Sequence, residues 1–495
     1  MKWIYVFLSF VFLSSCYKDK GNYTYKEINE ILIENFQPQY HAYYLKDTLK
    51  ISPSIKFTQD SLSSDRYLYE WSLLRGGQGV AEEYKISHTR QLNFPVTVPS
   101  NEYLLVFKIL DKETGITWMQ KSNFTVSTYF DRGWLILGES QGHAVVDMIS
   151  IPGSGDTVII KDVMQNNGLK SLKGPRNIVS INNRNVHNPL YILTDDGTYE
   201  LDKRTFASGE FANIKNRVYD VEKQSNFTAG DILQNFSVNR FMIGGDKLYI
   251  NGSLSVNDSY ANPASRYSTS KYSFKVAPYI AFTKNPMGLV QGRMLVYNSD
   301  DKRFVQFTPF STFCDSLPDN SGDPFAWKTG MKMINLFNSS YVVPALGKMS
   351  YALMENDQGS RFLYTFTSNI VRKGKRYDVS ALPGIKTMKH WGFSGTFPIM
   401  LYTSGSKLYG YNYETGFQFE KDFGKEITLL HFDTLLENNE KFYIATFDPS
   451  KSANTGGEIT KFTVLRNPNA IEIEEDINVK WSGLSKVVSM TWKWF

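Results

Sequence analysis

The chain runs to 495 residues yet holds only two cysteines, Cys16 and Cys314, and six histidines. Two cysteines cannot build a disulfide framework, so stability has to come from buried cores. The histidines (His41, His88, His143, His187, His390 and His431) nowhere fall at zinc-ligand spacing, and HExxH, HxH and CxxC are all missing. A Walker loop and a GxGxxG opening a helix are missing too, so P-loop and dinucleotide chemistry have no local signature. The net charge is a mild +5, with no dense basic stretch, and a nucleic-acid partner is not expected. No long segment carries a 3.6-residue period. After the opening dozen residues no apolar run approaches the ~20 needed to cross a bilayer. The reading from these absences is no catalytic motif, no metal and no cofactor.

What the chain does have is aromatic side chains: Tyr 30 and Phe 34 bring the aromatic fraction to 15%. With Val, Ile and Thr, that load favours β-sheet. Residues 28–128 read as short strands. YLYEWSLL (67–74) sets Tyr67, Tyr69 and Trp71 on one face, and RQLNFPVTV (90–98), EYLLVFKIL (102–110) and ITWMQKSNFTVST (116–128) follow. Turn signals recur every 8–15 residues, the pattern of a β-sandwich of about 100 residues with Trp71 as its core anchor. From residue 129 another unit repeats: an apolar strand, a polar turn, then a strand rich in Tyr or Phe. Its copies are at 133–149, 190–202, 241–254, 294–307, 351–366, 400–416 and 442–464. Their spacing of about 41–57 residues suits propeller blades, which need roughly 40–50 residues each plus loops. The expected fold class is all-β, an Ig/PKD-like sandwich followed by a seven-bladed β-propeller over 129–495. Two or three further sandwiches in tandem are the alternative. VVSMTWKWF (487–495) is expected to complete the first or last blade, leaving no free edge.

The N-terminus, MKWIYVFLSFVFLSSC, joins one cation to about ten apolar residues and ends on Leu13-Ser14-Ser15-Cys16. This resembles a bacterial lipobox. The resemblance implies a signal peptide over 1–15, a diacylglycerol on the Cys16 sulfur and a tether over 16–27; a plain secretory signal that happens to end in Cys is the alternative. CYKDKGNYTYKEINEI after it, the Tyr-x-Trp strand and GWLILGE (133–139) together resemble the PKD-like lipoproteins of Bacteroidetes. That family implies a lipid-anchored outer-membrane protein, at the cell surface more than the periplasmic face, often encoded beside a SusC/SusD-like uptake pair. It supplies no catalytic residues. Lys18-Asp19-Lys20 has one acid where surface-exported relatives carry more, so surface exposure is less secure than membrane attachment. Asp-Ser/Thr followed by an apolar residue resembles the O-glycosylation site of the same phylum, which points to Thr48 and Ser61.

Local candidates are few. Cys314 reads as a small core hydrophobe. The acidic loops TDDG (194–197), NSDD (298–301) and PDNSGD (318–323) read as turn chemistry, with a Ca²⁺ site as the alternative. Trp391, beside His390 in MKHWGFSG, and Trp327, after PDNSGDPFA, fall on expected connections between strands; each Trp reads as filling space between blades, and the alternative makes Trp391, Trp327 and His390 the candidate ligand-binding residues. Trp492 and Trp494 alternate in a strand and read as core. The functional expectation is a non-enzymatic binding protein for a glycan or peptide in an uptake system. Two other classes stay open: a propeller-borne hydrolase or lyase with acids drawn from several blades, and a protein scaffold or adhesin.

Overall fold

The computed structural model describes residues 29–494, apart from 45, 60–64, 77–81, 153–156, 166, 183–188, 221–226, 236–238, 253–258, 285–288 and 434–439. Cys16, with the expected signal and tether, lies outside the described residues, as does Ser61. The chain divides into two compact units, Met1–Thr128 and Tyr129–Phe495. Among the described residues there are β-strands and short 3-10 turns but no α-helix, and no helix is long and apolar enough to cross a membrane. The protein is all-β.

In the first unit a five-stranded sheet runs in the order Gln39–Tyr43, Thr117–Ser127, Asn101–Asp111, Tyr67–Arg75, Glu82–Ser87. Its first pair is parallel and the rest are antiparallel. Two small sheets, Ile31–Glu34 with Ser54–Phe57 and Thr48–Ile51 with Leu92–Pro95, share a core with it. Trp71 sits at the centre of that core. It stacks on Phe107 at 4.2 Å, and its indole N–H donates to the Thr89 carbonyl at 2.9 Å, so the one polar atom of a fully buried ring is satisfied. Thr48 is exposed at the start of its strand.

The second unit contains seven antiparallel sheets among the described residues. The first joins Gly133–Ser140, His143–Ser150 and Val158–Ile160 to the last strand of the chain, Lys486–Lys493. The second (Pro175–Ser180, Leu190–Thr194, Gly197–Leu201) and third (Ala229–Gln234, Arg240–Gly244, Lys247–Asn251) have three strands. The fourth has Val276–Lys284, Val290–Asn298, Arg303–Phe307 and a two-residue edge, Asp315–Ser316. The fifth spans Lys332–Val343 to Arg372–Asp378, the sixth His390–Phe393 to Gln418–Asp422, and the seventh Glu426–Phe432 to Glu472–Leu484, each with four strands. Every one of the seven repeated stretches forms an antiparallel hairpin in a different sheet.

The sheets are linked in a cycle by seven apolar clusters. Each pair of consecutive sheets shares one, from Leu137 and Ile192 between the first and second to Phe432 and Leu401 between the sixth and seventh. The seventh cluster returns to the first sheet through Tyr443, Ile459, Trp134 and Trp492. This explains why the central strands are apolar on both faces: each packs on two neighbours, so strict alternation is lost. Leading strands also bond across sheets. The Ser489 hydroxyl meets Asn177 Oδ1 at 2.6 Å, and Asn338 Nδ2 donates to the Ile280 carbonyl at 2.9 Å.

The final strand joins the first sheet, with Trp492 opposite Trp134 and a register shift at Leu137/Gly138. Gly138 has to be glycine here, since a Cβ would stand 1.9 Å from the Ser485 hydroxyl. Lys493, fully buried, ties the strand to the start of the unit by donating to the carbonyls of Phe130 and Asp131. Burial pushes its ammonium down to about 8.

Candidate functional site

In sheets two to seven of the second unit the leading strand runs into the next strand at one end, and polar groups collect there. Lys284 closes the leading strand of the fourth sheet, Lys348 opens the second strand of the fifth, and His431 and Asp433 stand at the end of the seventh's leading strand. The Lys348 ammonium donates to the Lys284 carbonyl at 2.8 Å. Burial lowers the Lys284 ammonium to about 8; nearby Lys348 lowers it further and Asp433 opposes. Burial, then the Lys284 charge, holds the His431 imidazole down at about 4, so it is neutral at pH 7. Its ring lies edge-on to Trp134 at 5.6 Å. Sheets four and seven are not neighbours in the cycle, so these groups converge across its middle.

Two more polar groups lie on leading strands away from those turns. Asp231, on the leading strand of the third sheet, has its carboxyl raised by burial to about 6. Tyr279 of the fourth sheet feels that carboxyl and donates to the Ile334 carbonyl at 3.2 Å. Near the closing strand, Lys203 donates to the Ile181 carbonyl at 2.9 Å and to Asn182 Oδ1 at 2.8 Å, while Asn182 Nδ2 donates to the Trp492 carbonyl at 2.9 Å. Burial, with Lys493 adding, lowers Lys203 to about 7.

A depression of about 510 Å³ opens between the third and fourth sheets at the same end. Its walls are Ile250, Ala261 and Ala264 on one side and the turn Thr308–Ser311 on the other, with Asn239 and Arg266 contributing polar groups. The turn carries Phe310, which is 73% exposed.

The candidate ligand-binding residues lie elsewhere, with both Trp side chains filling space between sheets. Trp391 is corrected from loop to strand: it sits within His390–Phe393, is buried, and meets Phe393 edge-on at 5.1 Å in the core between the fifth and sixth sheets. The glycine beside it misled, because Gly392 serves packing, with the Phe432 ring 2.5 Å from where its Cβ would be. Trp327 is likewise buried, in a different core between the fourth and fifth sheets, edge-on to Phe304 and Phe366 at 5.7 Å. Neither ring presents a face to a ligand. His390 is half-buried, its imidazole lowered to about 4 by burial, then by Lys389. The three residues make no common site.

The acidic loops act as turns and counter-charges. Asn298 caps the backbone N–H groups of Asp300 and Asp301 at 3.0 Å, and Asp319 and Asp323 hold the Lys373 ammonium at 2.9 and 2.7 Å beside Trp327. Among the described residues no group of three or more His, Cys, Asp or Glu is placed to hold a metal ion. Cys314 is buried, its thiol donating to the Ala264 carbonyl at 3.3 Å and pushed above its ordinary pKa by burial.

Residues 16–175 match the model of the PKD-like family. The match covers about a third of the chain, through the first unit and into the first sheet of the second. Among solved structures, the chain is similar to a quinonprotein alcohol dehydrogenase-like protein from Bacteroides thetaiotaomicron, at 13% identity and a TM-score of 0.38, covering 94% of this chain and 96% of that one. A DUF4784 family protein from Bacteroides caccae aligns at 10% identity and a TM-score of 0.30, covering 94% and 98%. PorZ, a surface component of the type-IX secretion system of Porphyromonas gingivalis, aligns at 11% identity and a TM-score of 0.29, covering 76% and 44%. No curated protein matches the chain.

Proposed function

We propose that Tyr129–Phe495 is a seven-bladed β-propeller, that the first unit is a PKD-like sandwich, and that the protein is a lipid-anchored binding protein of the outer membrane. In this reading Cys16 carries the lipid, the protein faces the cell surface, and it serves a SusC/SusD-like uptake system by holding a glycan or peptide. The cycle of seven apolar clusters, joined by the last strand to the first sheet, supports the propeller. The observation that carries the binding reading is one polar end built from several sheets, where Lys284, Lys348, His431 and Asp433 come together and the separate Phe310 depression also opens. A ring whose sheets are locked to both neighbours holds such groups still, which limits the ordering cost of binding. The PKD-like match and the lipobox resemblance support the anchoring.

The test is retention of soluble polysaccharides and peptides by the full chain lacking residues 1–16, beside palmitate labelling of the whole protein in a Bacteroidetes host. Retention of a glycan or peptide, and label lost on Cys16→Ala, are expected. A protein that retains nothing and takes no label contradicts the reading. Asp231 favours one other reading, a hydrolase: a carboxyl near 6 can deliver a proton at neutral pH. Glycan cleavage lost on Asp231→Asn is its test.

A further inference from the structure

The depression between the third and fourth sheets joins an exposed aromatic ring, a guanidinium edge and a buried acceptor, the last two without a side-chain partner among the described residues. We propose that it binds an acidic saccharide, a pyranose ring bearing a carboxylate. This inference rests on the binding-protein reading above and names its ligand class.

Phe310 stands at the tip of a fixed turn. The Ser311 N–H donates to the Thr308 carbonyl at 3.1 Å, and the Thr308 N–H donates back to the Ser311 hydroxyl at 3.0 Å. The neighbouring sheet clamps the same turn, since Asn239 Nδ2 donates to the Pro309 carbonyl at 2.8 Å. A phenyl ring held rigidly in water, with no polar atom of its own, suits the C–H face of a sugar.

That clamp also fixes the Asn239 amide. A carbonyl can only accept, so the NH₂ group must face Pro309, and Oδ1 is left over. The Asn239 side chain is fully buried, it lines the depression, and its Oδ1 has no hydrogen-bond partner among the described residues. A desolvated acceptor of this kind calls for an O–H or N–H donor, which ring hydroxyls supply in several directions and a bare hydrocarbon or an anion does not.

Arg266 supplies the third element. Its Nε donates to the Thr312 carbonyl at 3.2 Å, which sets the plane of the guanidinium. Among the described residues no carboxylate pairs with it. A guanidinium so placed matches a carboxylate by two parallel hydrogen bonds. Aromatic face, hydroxyl-seeking acceptor and carboxylate-seeking fork lie within one hollow of about 510 Å³, inside the roughly 300–1,000 Å³ usual for small-ligand sites.

The experiment is calorimetric titration of the full chain lacking residues 1–16 with oligogalacturonate, oligoglucuronate, a neutral oligogalactan, and a peptide ending in Phe with a free carboxylate. Binding of an oligouronate in preference to the galactan is expected. Phe310→Ala should weaken it by roughly tenfold or more, and Arg266→Gln should remove the preference for acid over neutral sugar by a similar factor. Phe211→Ala, at a side chain 95% exposed outside the depression, should leave binding unchanged. Preference for the peptide overturns the saccharide assignment. Saccharide binding indifferent to Phe310→Ala and Arg266→Gln overturns this site while leaving the binding-protein reading standing. A chain that binds none of the four overturns the inference, and the broader reading falls only if the polysaccharide and peptide retention test is negative as well.

Discussion

Sheets five to seven and sheets two and three solve the same problem differently. In the former a fourth strand covers the edge of the third and is itself laced with ion pairs, such as Lys407–Glu420 at 2.5 Å and Lys480–Glu458 at 3.0 Å. In the latter no fourth strand occurs among the described residues, and side-chain hydrogen bonds between the third strand and irregular segments close the edge instead. The Ser208 hydroxyl donates to the Glu200 carbonyl at 2.6 Å, Asn251 Nδ2 donates to the Ser259 carbonyl at 2.8 Å, and the Leu248 N–H donates to the Ser265 hydroxyl at 3.1 Å. Regular strand addition leaves a smooth edge, while irregular chain leaves hollows. The most exposed aromatic side chains, Phe211, Tyr219, Tyr272 and Phe310, all fall in the connections around sheets two to four. Concavity and specificity concentrate where the backbone is closed by side chains.

Removing the closing strand should have the largest effect, because both regions depend on the cycle. Deleting residues 486–495 exposes Trp134 and the edge of the first sheet. The second unit should then lose cooperative unfolding by near-ultraviolet circular dichroism in urea. Next in size is a core change confined to the regular region: Trp391→Ala should cost about 3–5 kcal/mol in urea unfolding, as expected for a large side chain removed from a packed core. A cost under 1 kcal/mol would return Trp391 to the surface.

A smaller effect belongs to pH. Folding lowers Lys203 to about 7 and Lys493 to about 8, against ~10.4 in the unfolded chain. Between those values the unfolded chain binds more protons, so stability should rise with pH from about 7 to 9.5, by at most ~1.4 kcal/mol per pH unit for each group. His390 and His431, both lowered to about 4, work the same way lower down, so stability should fall as pH drops from about 6.5 to 4. Urea midpoints across pH 4–9.5 test both limbs; a flat profile contradicts the buried placement of these groups. Smallest is Phe310→Ala, which should change stability by no more than about 0.5 kcal/mol, since the side chain is largely in water, while weakening ligand binding.

The seven central hairpins were legible because a strand packed on two faces is apolar throughout and its turn must be polar. Turns such as Thr194–Gly197 and Asn298–Arg303 announce themselves by Asp, Asn and Gly. The leading strands were less legible. PRNIVS and AGDILQ are short and mix polar with apolar groups, because one edge faces the middle of the cycle and the faces pack on neighbours. Three-stranded sheets leave no sequence mark, since a hydroxyl or an amide replacing a strand looks like any loop. The candidate site was the least legible part. Lys284 and His431 are about 150 residues apart and meet only through the cycle. HWGFSG resembled a loop because its glycine makes room for Phe432, and Phe310 drew no notice in TPFST because nothing local says that Asn239 holds the turn.

Amide hydrogen exchange with and without oligogalacturonate measures most directly whether the irregular region carries the site. Slowed exchange is expected only in Ala261–Arg266 and Thr308–Thr312, with sheets five to seven unchanged. Protection on the outer strands of sheets five to seven, or none anywhere at saturating ligand, would contradict it.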